Sequence, residues 1–250
     1  MTERIRNTAG TSLRINAYLA AAGLGSRRKV EQLVRDGRIA INALVVHELM
    51  AQVDPARDRV TCDGVALHLA GHRYLMLHKP AGYTCTHRDP HARHTIYDLL
   101  PPWLHHLNYA GRLDVESEGM LLLSNDGGWL QRVSHPRHQA RKTYEVDVRG
   151  QPAAAGLEEA RRGVRSAGEI LRVDSIRILG RTANGTSLLL SLREGKKREI
   201  RRIFDALQHP VTRLKRVTTG ALQLGGLGPG RWRELTPAEV RFFQEPAGSR

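Results

Sequence analysis

Apolar residues recur at two periods along this chain, and the change of period marks where helices give way to strands. In LRINAYLAAAG, residues 13–23, the positions Leu13, Ala17, Leu19 and Ala20 fall on one helical face, and Gly23 ends the helix. SRRKVEQLVRDG, residues 26–37, predicts a second helix with Val30, Leu33 and Val34 inside; Ser26 can cap it and Gly37 gives a left-handed stop. Short strands are expected at 38–41 and 44–46, joined at Asn42, and at 59–62. A linker at 63–73 leads to YLMLHKPAGY, which reads as a buried strand entering a Pro–Gly turn. A loop and a short helix follow, then a strand before Gly111 and a strongly apolar strand at 120–123. GGWLQRVSHP predicts a short helix, KTYEVDVRG a strand by strict alternation, and AGLEEARRG an amphipathic helix. Strands are expected at 170–179 and 186–192, a helix over GKKREIRRIFDALQ, and a final strand in VTRLKRVTTG. The pattern divides the chain into a polar, flexible arm (1–12), a small unit (13–62), the linker, and an α+β domain (74–245), with no internal repeat.

Charge then narrows the function. Lys and Arg outnumber Asp and Glu by 39 to 25, a net charge of +14, which suits a polyanionic partner. The excess is clustered. Arg27, Arg28 and Lys29 open the second helix, and residues 193–216 hold nine Lys or Arg against three acids. Candidate substrate or RNA contacts are Arg27, Arg28 and Lys29 in the small unit, with Arg112, Lys142, Lys196, Lys197, Arg198 and Arg202 in the larger one. Cys62 and Cys85 are the only cysteines, too few for a disulfide framework, and form no CxxC pair, which argues against structural zinc. His87, His91, His94, His105, His106, His135 and His138 match no zinc spacing, so no metal is expected. No apolar run approaches the roughly 18 residues of a membrane span, and MTERIRNTAG lacks the apolar core of a secretion signal. The cytoplasm is the expected location.

The sharpest chemical signal is Gly111-Arg112-Leu113-Asp114 before VESEGMLLLSNDG. A carboxylate in a turn between two apolar strands is costly unless it is bonded or paired. Gly111 and Gly119 bracket that turn and permit close backbone approach. Alone, such an aspartate is more often a cap or a turn residue. Tyr144 by itself reads as a core aromatic, and Arg201 as a solvated helix face with Arg198 and Arg202 as rivals.

In context, GRLDVESEGMLLLSNDG resembles the catalytic motif of pseudouridine synthases, and SRRKVEQLVRDGRIAIN resembles the S-four RNA-binding domain. The order of motifs is similar to the RsuA/RluB type, which modifies single sites in ribosomal RNA. YLMLHKPAGYTCTHRDPHARHTIYDLLP looks like its opening strand and loop, HPRHQARKTYEV like its tyrosine segment, and REGKKREIRRIF like its third motif. The resemblance implies an α+β catalytic domain around a mixed, largely antiparallel sheet. It also implies Asp114 as the catalytic carboxylate, Tyr144 as the active-site tyrosine and Arg201 as the basic partner that keeps Asp114 ionised and oriented. Lys197 and Glu199 depart from the Asn and Gln common in that third motif.

The implied reaction moves uracil from its nitrogen one to its carbon five on the same ribose. It needs no redox change and no energy source, so no cofactor is expected, in keeping with the missing nucleotide-binding motifs. A carboxylate can act on the sugar or base, and an aromatic ring can stack on an extruded base. The expectation is a monomer acting on ribosomal RNA or an assembly precursor, with the large subunit favoured over the small. A non-catalytic RNA-binding or assembly factor is the rival of a different class, and the trio Asp114, Tyr144 and Arg201 argues against it. A DNA-binding protein is disfavoured because no groove-reading motif is present.

Overall fold

The computed structural model describes residues 12–25, 27–69, 71–87, 89–134, 140–193 and 195–244, with Arg27 as backbone alone. Most of the expected arm, the cap Ser26 and the Arg27 side chain lie outside these residues. The chain forms two compact units, Met1–His72 and Arg73–Arg250. Among the described residues no helix is long and apolar enough to cross a membrane.

The first unit runs β1 (Leu13–Arg14), α1 (Ile15–Ala21), α2 (Arg27–Arg35), β2 (Ile39–Ile41), β3 (Leu44–Val45), β4 (Gln52–Val53), β5 (Val60–Cys62) and β6 (Val65–Ala66). Helix α1 starts two residues later than its apolar pattern suggests, because Leu13 and Arg14 pair with Val53 and Gln52. Its buried face is Ile15, Tyr18 and Leu19, whereas Ala17 is exposed. These residues pack with Val30, Leu33, Val34, Ile39, Val53 and Val60 into one core. Residues 63–66, read as linker, belong to this unit: β5 turns at Asp63–Gly64 into β6, and the Tyr18 hydroxyl donates to Leu67 O. Arg38 pairs with Asp63 across the sheet.

The second unit runs β7 (Tyr74–Lys79), two 3-10 turns (Ile96–Leu99 and Pro102–Leu104), β8 (Asn108–Ala110), β9 (Glu118–Ser124), α3 (Gly127–Ser134), β10 (Lys142–Arg149) and α4 (Ala154–Arg162). It continues through β11 (Val164–Ser166), β12 (Glu169–Leu171), β13 (Ser175–Arg181), β14 (Gly185–Leu192), α5 (Glu199–Ala206), β15 (Val211–Thr219), β16 (Leu222–Gln223), β17 (Trp232–Glu234) and α6 (Pro237–Phe242). Nine described strands form one sheet in the order β13-β14-β10-β15-β9-β7-β17, with β16 on β15 and β8 on β9. The β15–β9 pair is parallel and the others are antiparallel, so the sheet is mixed and largely antiparallel. The unbroken apolar run of β9 has a simple cause: both faces are covered. Met120 and Leu122 pack toward Trp129, Val133 and Phe243, while Leu121 and Leu123 pack toward Ile96, Leu104 and Leu107. A third core lies where α4 and α5 cover β10 and β14 around Val146, Leu188, Leu190 and Phe204.

Several elements differ from the pattern-based expectation. The strand read at 170–179 is two strands, β12 and β13, because β12 folds back on β11 and β13 joins the sheet edge. Strand β15 is not the last: β17 follows and pairs with β7 at the other edge. Trp129 is fully buried, but Trp103 is exposed and meets Trp232 edge-on, with the Arg73 guanidinium over its ring.

Helix α6 is pinned by a capping box between Thr236 and Glu239, and Arg233 grips the same carboxylate at 2.7 and 2.8 Å. The Arg233 bonds chiefly hold Glu239 below its ordinary 4.5, at about 2, against the opposing effect of burial. A depressed folded-state value means that this stabilisation is complete above 4.5 and disappears as pH falls through about 2. Glu239→Gln is expected to cost roughly 1–2 kcal/mol at neutral pH. Urea melts at pH 7 and at pH 2 should show the gap closing in acid.

Candidate active site

The turn from β8 to β9 carries Asp114, and its shape is set from below by a buried cation. Lys79, at the end of β7, is fully buried, and its ammonium donates to the carbonyls of Pro80, Asp114, Val115 and Ser117 at 2.6–3.3 Å. Burial lowers its proton affinity, bringing it to about 8. The turn closes on itself as Ser117 N–H donates to Asp114 O at 3.0 Å. Nothing in the sequence marked Lys79 beyond its place at the end of the strand YLMLHK. The Asp114 carboxylate is thereby left one-third exposed, facing a cavity of about 530 Å³.

That cavity collects residues from distant parts of the chain. Arg112 and Asp114 come from the turn, Lys142 and Tyr144 from β10, Lys196, Lys197, Arg198 and Glu199 from the start of α5, and Arg216 from β15. Tyr144 has two roles at once: it is buried in the core beside Val146 and Leu190, and it forms part of the cavity wall. Pro136 and its neighbours at 135–139, which precede this strand, lie outside the described residues.

The arginines are arranged differently from the expectation. Helix α5 begins at Glu199 rather than near 195, because Arg198 takes a left-handed conformation, φ 52°, and breaks the run. The backbone amide of Lys196 donates to the Glu199 carboxylate at 3.0 Å and secures that corner. Arg198 is therefore the arginine beside Asp114, with Nη1 3.9 Å from its carboxylate and 2.7 Å from Glu116. This contact lowers the proton affinity of Glu116. Arg201 instead lies buried in the first turn of α5. Its Nε is 3.7 Å from Glu116, and it donates to Val211 O, Glu116 O and Ser117 Oγ at 3.2–3.4 Å. Arg201 thus braces the turn that bears Asp114 without touching the carboxylate. Arg202 turns away and holds the β11–β12 hairpin through Glu169 and Ser166. In the first unit Arg28 and Lys29 are exposed on α2.

Comparison with known proteins gives this arrangement its class. Residues 73–206 match the family described as RNA pseudouridylate synthase, and residues 13–48 match the S4 domain. The chain belongs to the RNA pseudouridylate synthase family. It is 38% identical to an uncharacterized RNA pseudouridine synthase of Aquifex aeolicus (strain VF5), across 94% of this chain and 95% of that protein. It is 34% identical to the ribosomal large subunit pseudouridine synthase B of Bacillus subtilis (strain 168), across 91% and 94%. A crystal structure of a pseudouridylate synthase superposes with a TM-score of 0.62 at 27% identity, covering 92% of this chain and 99% of that one. The enzyme is an RNA pseudouridine synthase of the RsuA/RluB type, with an N-terminal S4 domain and the mixed-sheet catalytic fold.

Proposed function

We propose that this enzyme converts a uridine of large-subunit ribosomal RNA to pseudouridine, with Asp114 as the catalytic carboxylate and Tyr144 stacked on the extruded base. One observation carries the reading: Asp114, on a turn clamped by Lys79, faces the same cavity as Tyr144 and leaves its carboxylate without a hydrogen bond among the described residues. A carboxylate held in place but not consumed by bonding is available to a substrate. Arg198 stands nearest it, with Nη1 at 3.9 Å, while Arg201 acts at one remove by bracing Glu116 and Ser117. Extruding a base from folded RNA needs a grip on the flanking phosphates. The exposed Lys196, Lys197 and Arg112 at the cavity supply it, and Arg28 and Lys29 of the S4 unit add a second contact.

The choice of the large subunit draws on the Bacillus subtilis relative and on a Haemophilus influenzae protein of the same name, 32% identical across 94% of this chain. Mapping pseudouridines in both ribosomal RNAs, from cells with and without the gene, tests it. One large-subunit site should vanish on deletion and return with the wild-type gene. Loss confined to small-subunit RNA would reassign the substrate.

A further inference from the structure

Two cations of the candidate site form no ion pair among the described residues. Arg216 is only 5% exposed. Its guanidinium makes one hydrogen bond, from Nε to Met120 O at 2.8 Å, and forms no ion pair among the described residues. Lys142 Nζ donates once, to Ala140 O at 3.2 Å, and likewise has no ion pair among them. A guanidinium has five N–H donors and an ammonium three, so most of their capacity is unspent.

The two charges also feel each other. Lys142 is lowered to about 8, first by burial and then by Arg216, with Glu199 of α5 pulling the other way. Placing like charges together in a sheltered cavity is unfavourable, and a ligand bearing negative charge or carbonyl oxygens would relieve it. Their location specifies which part of the substrate this is. Arg216 lies opposite Tyr144 on the neighbouring strand, and Lys142 precedes Tyr144 by two residues; all three line the cavity with Asp114. A base stacked on Tyr144 would lie beside both. RNA phosphates have exposed partners in Lys196 and Lys197.

We propose that Lys142 and Arg216 hold the carbonyl oxygens of the extruded uracil and take up the negative charge of the detached base. This rests on the uridine-isomerising reading above. When the glycosidic bond breaks, both electrons go to uracil nitrogen one, leaving a monoanion whose charge is shared with the two carbonyl oxygens. After the base turns, an electron pair from carbon five forms the new bond to the ribose. The proton on carbon five then departs, and nitrogen one takes up a proton. No oxidant, reductant or further reactant enters. Donors aimed at charge that exists only after bond cleavage act on the rate rather than on binding.

The test uses full-length protein and both ribosomal RNAs transcribed with uridine tritiated at carbon five. Single-turnover tritium release, RNA affinity and a melting curve are measured for wild type, Lys142→Gln, Lys142→Met, Lys142→Arg and Arg216→Lys. Lys142→Gln and Lys142→Met should slow release on the order of 100-fold, with Kd within about threefold of wild type. Lys142→Arg should recover at least about tenfold of that loss, and Arg216→Lys should slow release by about tenfold or more. A folded Lys142→Gln that releases tritium within about threefold of wild type overturns the inference. So does a loss residing wholly in Kd, which would make Lys142 a phosphate contact. Wild-type protein inactive on both RNAs would instead overturn the reading of the substrate, and this inference with it.

Discussion

Asp114→Asn is expected to abolish pseudouridine formation while leaving the fold and the RNA affinity nearly unchanged. The structure makes this substitution unusually clean. The Asp114 carboxylate accepts no hydrogen bond among the described residues, and its nearest cation, Arg198, is 3.9 Å away and already bonded to Glu116 at 2.7 Å. The turn is held through the carbonyl of Asp114, which the amide variant keeps. Stability should therefore move by no more than about 0.5 kcal/mol, as at a site without a structural role. Affinity resides mainly in phosphate contacts and should stay within about threefold. The rate should fall by about four orders of magnitude or more, because an amide is neither nucleophile nor charge. Tritium release measured beside a melting curve separates the outcomes. A well-folded Asp114→Asn that works at near wild-type rate removes Asp114 from the chemistry.

Gly119→Ala should have the largest effect on stability. Gly119 has φ +110°, and a Cβ there would collide with the backbone N and O of Arg216. These two residues face each other in the parallel ladder of β9 and β15, which joins the β13-β14-β10-β15 half of the sheet to the β9-β7-β17 half. The collision is with main chain, so no side-chain rotation relieves it; the strands must separate. A loss of more than about 4 kcal/mol is expected, in the range reserved for disrupted cores. Gly111→Ala is the control. Its φ is +70°, but open space surrounds the new Cβ, so only the backbone penalty of about 1 kcal/mol applies. Urea unfolding of both variants decides the matter. Equal losses would mean that the close approach of β9 to β15 contributes nothing beyond a glycine conformation.

The longer elements were legible because their residues obey one period throughout. Strand β10 alternates cleanly from Lys142 to Arg149, and β9 is apolar on both faces. Legibility ended where partners distant in sequence decide. The phase of α1 went astray because Leu13 pairs with Val53, shifting the helix so that Ile15 is buried and Ala17 is not. Strands β4, β6 and β17 exist through their pairing with β1, β5 and β7, which no local pattern announces. At the candidate site the motif residues Asp114 and Tyr144 do share a cavity. Which arginine faces Asp114 was hidden, because it depends on a single left-handed residue, Arg198, that delays α5. Lys79 and Arg216 were hidden for another reason. A basic residue in a strand looks the same on paper whether its charge reaches solvent or is buried, as Lys79 is among four main-chain carbonyls and Arg216 is at the cavity wall.

The bonds around Lys79 also bear on how this enzyme responds to ionic strength. A grip on RNA through exposed Lys and Arg, as proposed above, is screened by mobile ions and weakens steeply as salt rises. Beneath the ion pairs of Arg198 and Arg201, the Asp114 turn is also held by another means: the buried Lys79 ammonium, surrounded by four carbonyl dipoles and in no ion pair among the described residues. Dissolved ions have no access to such a cage. Concentrated salt should therefore release the RNA while leaving the Asp114 turn in its working shape, so that activity returns on dilution without refolding.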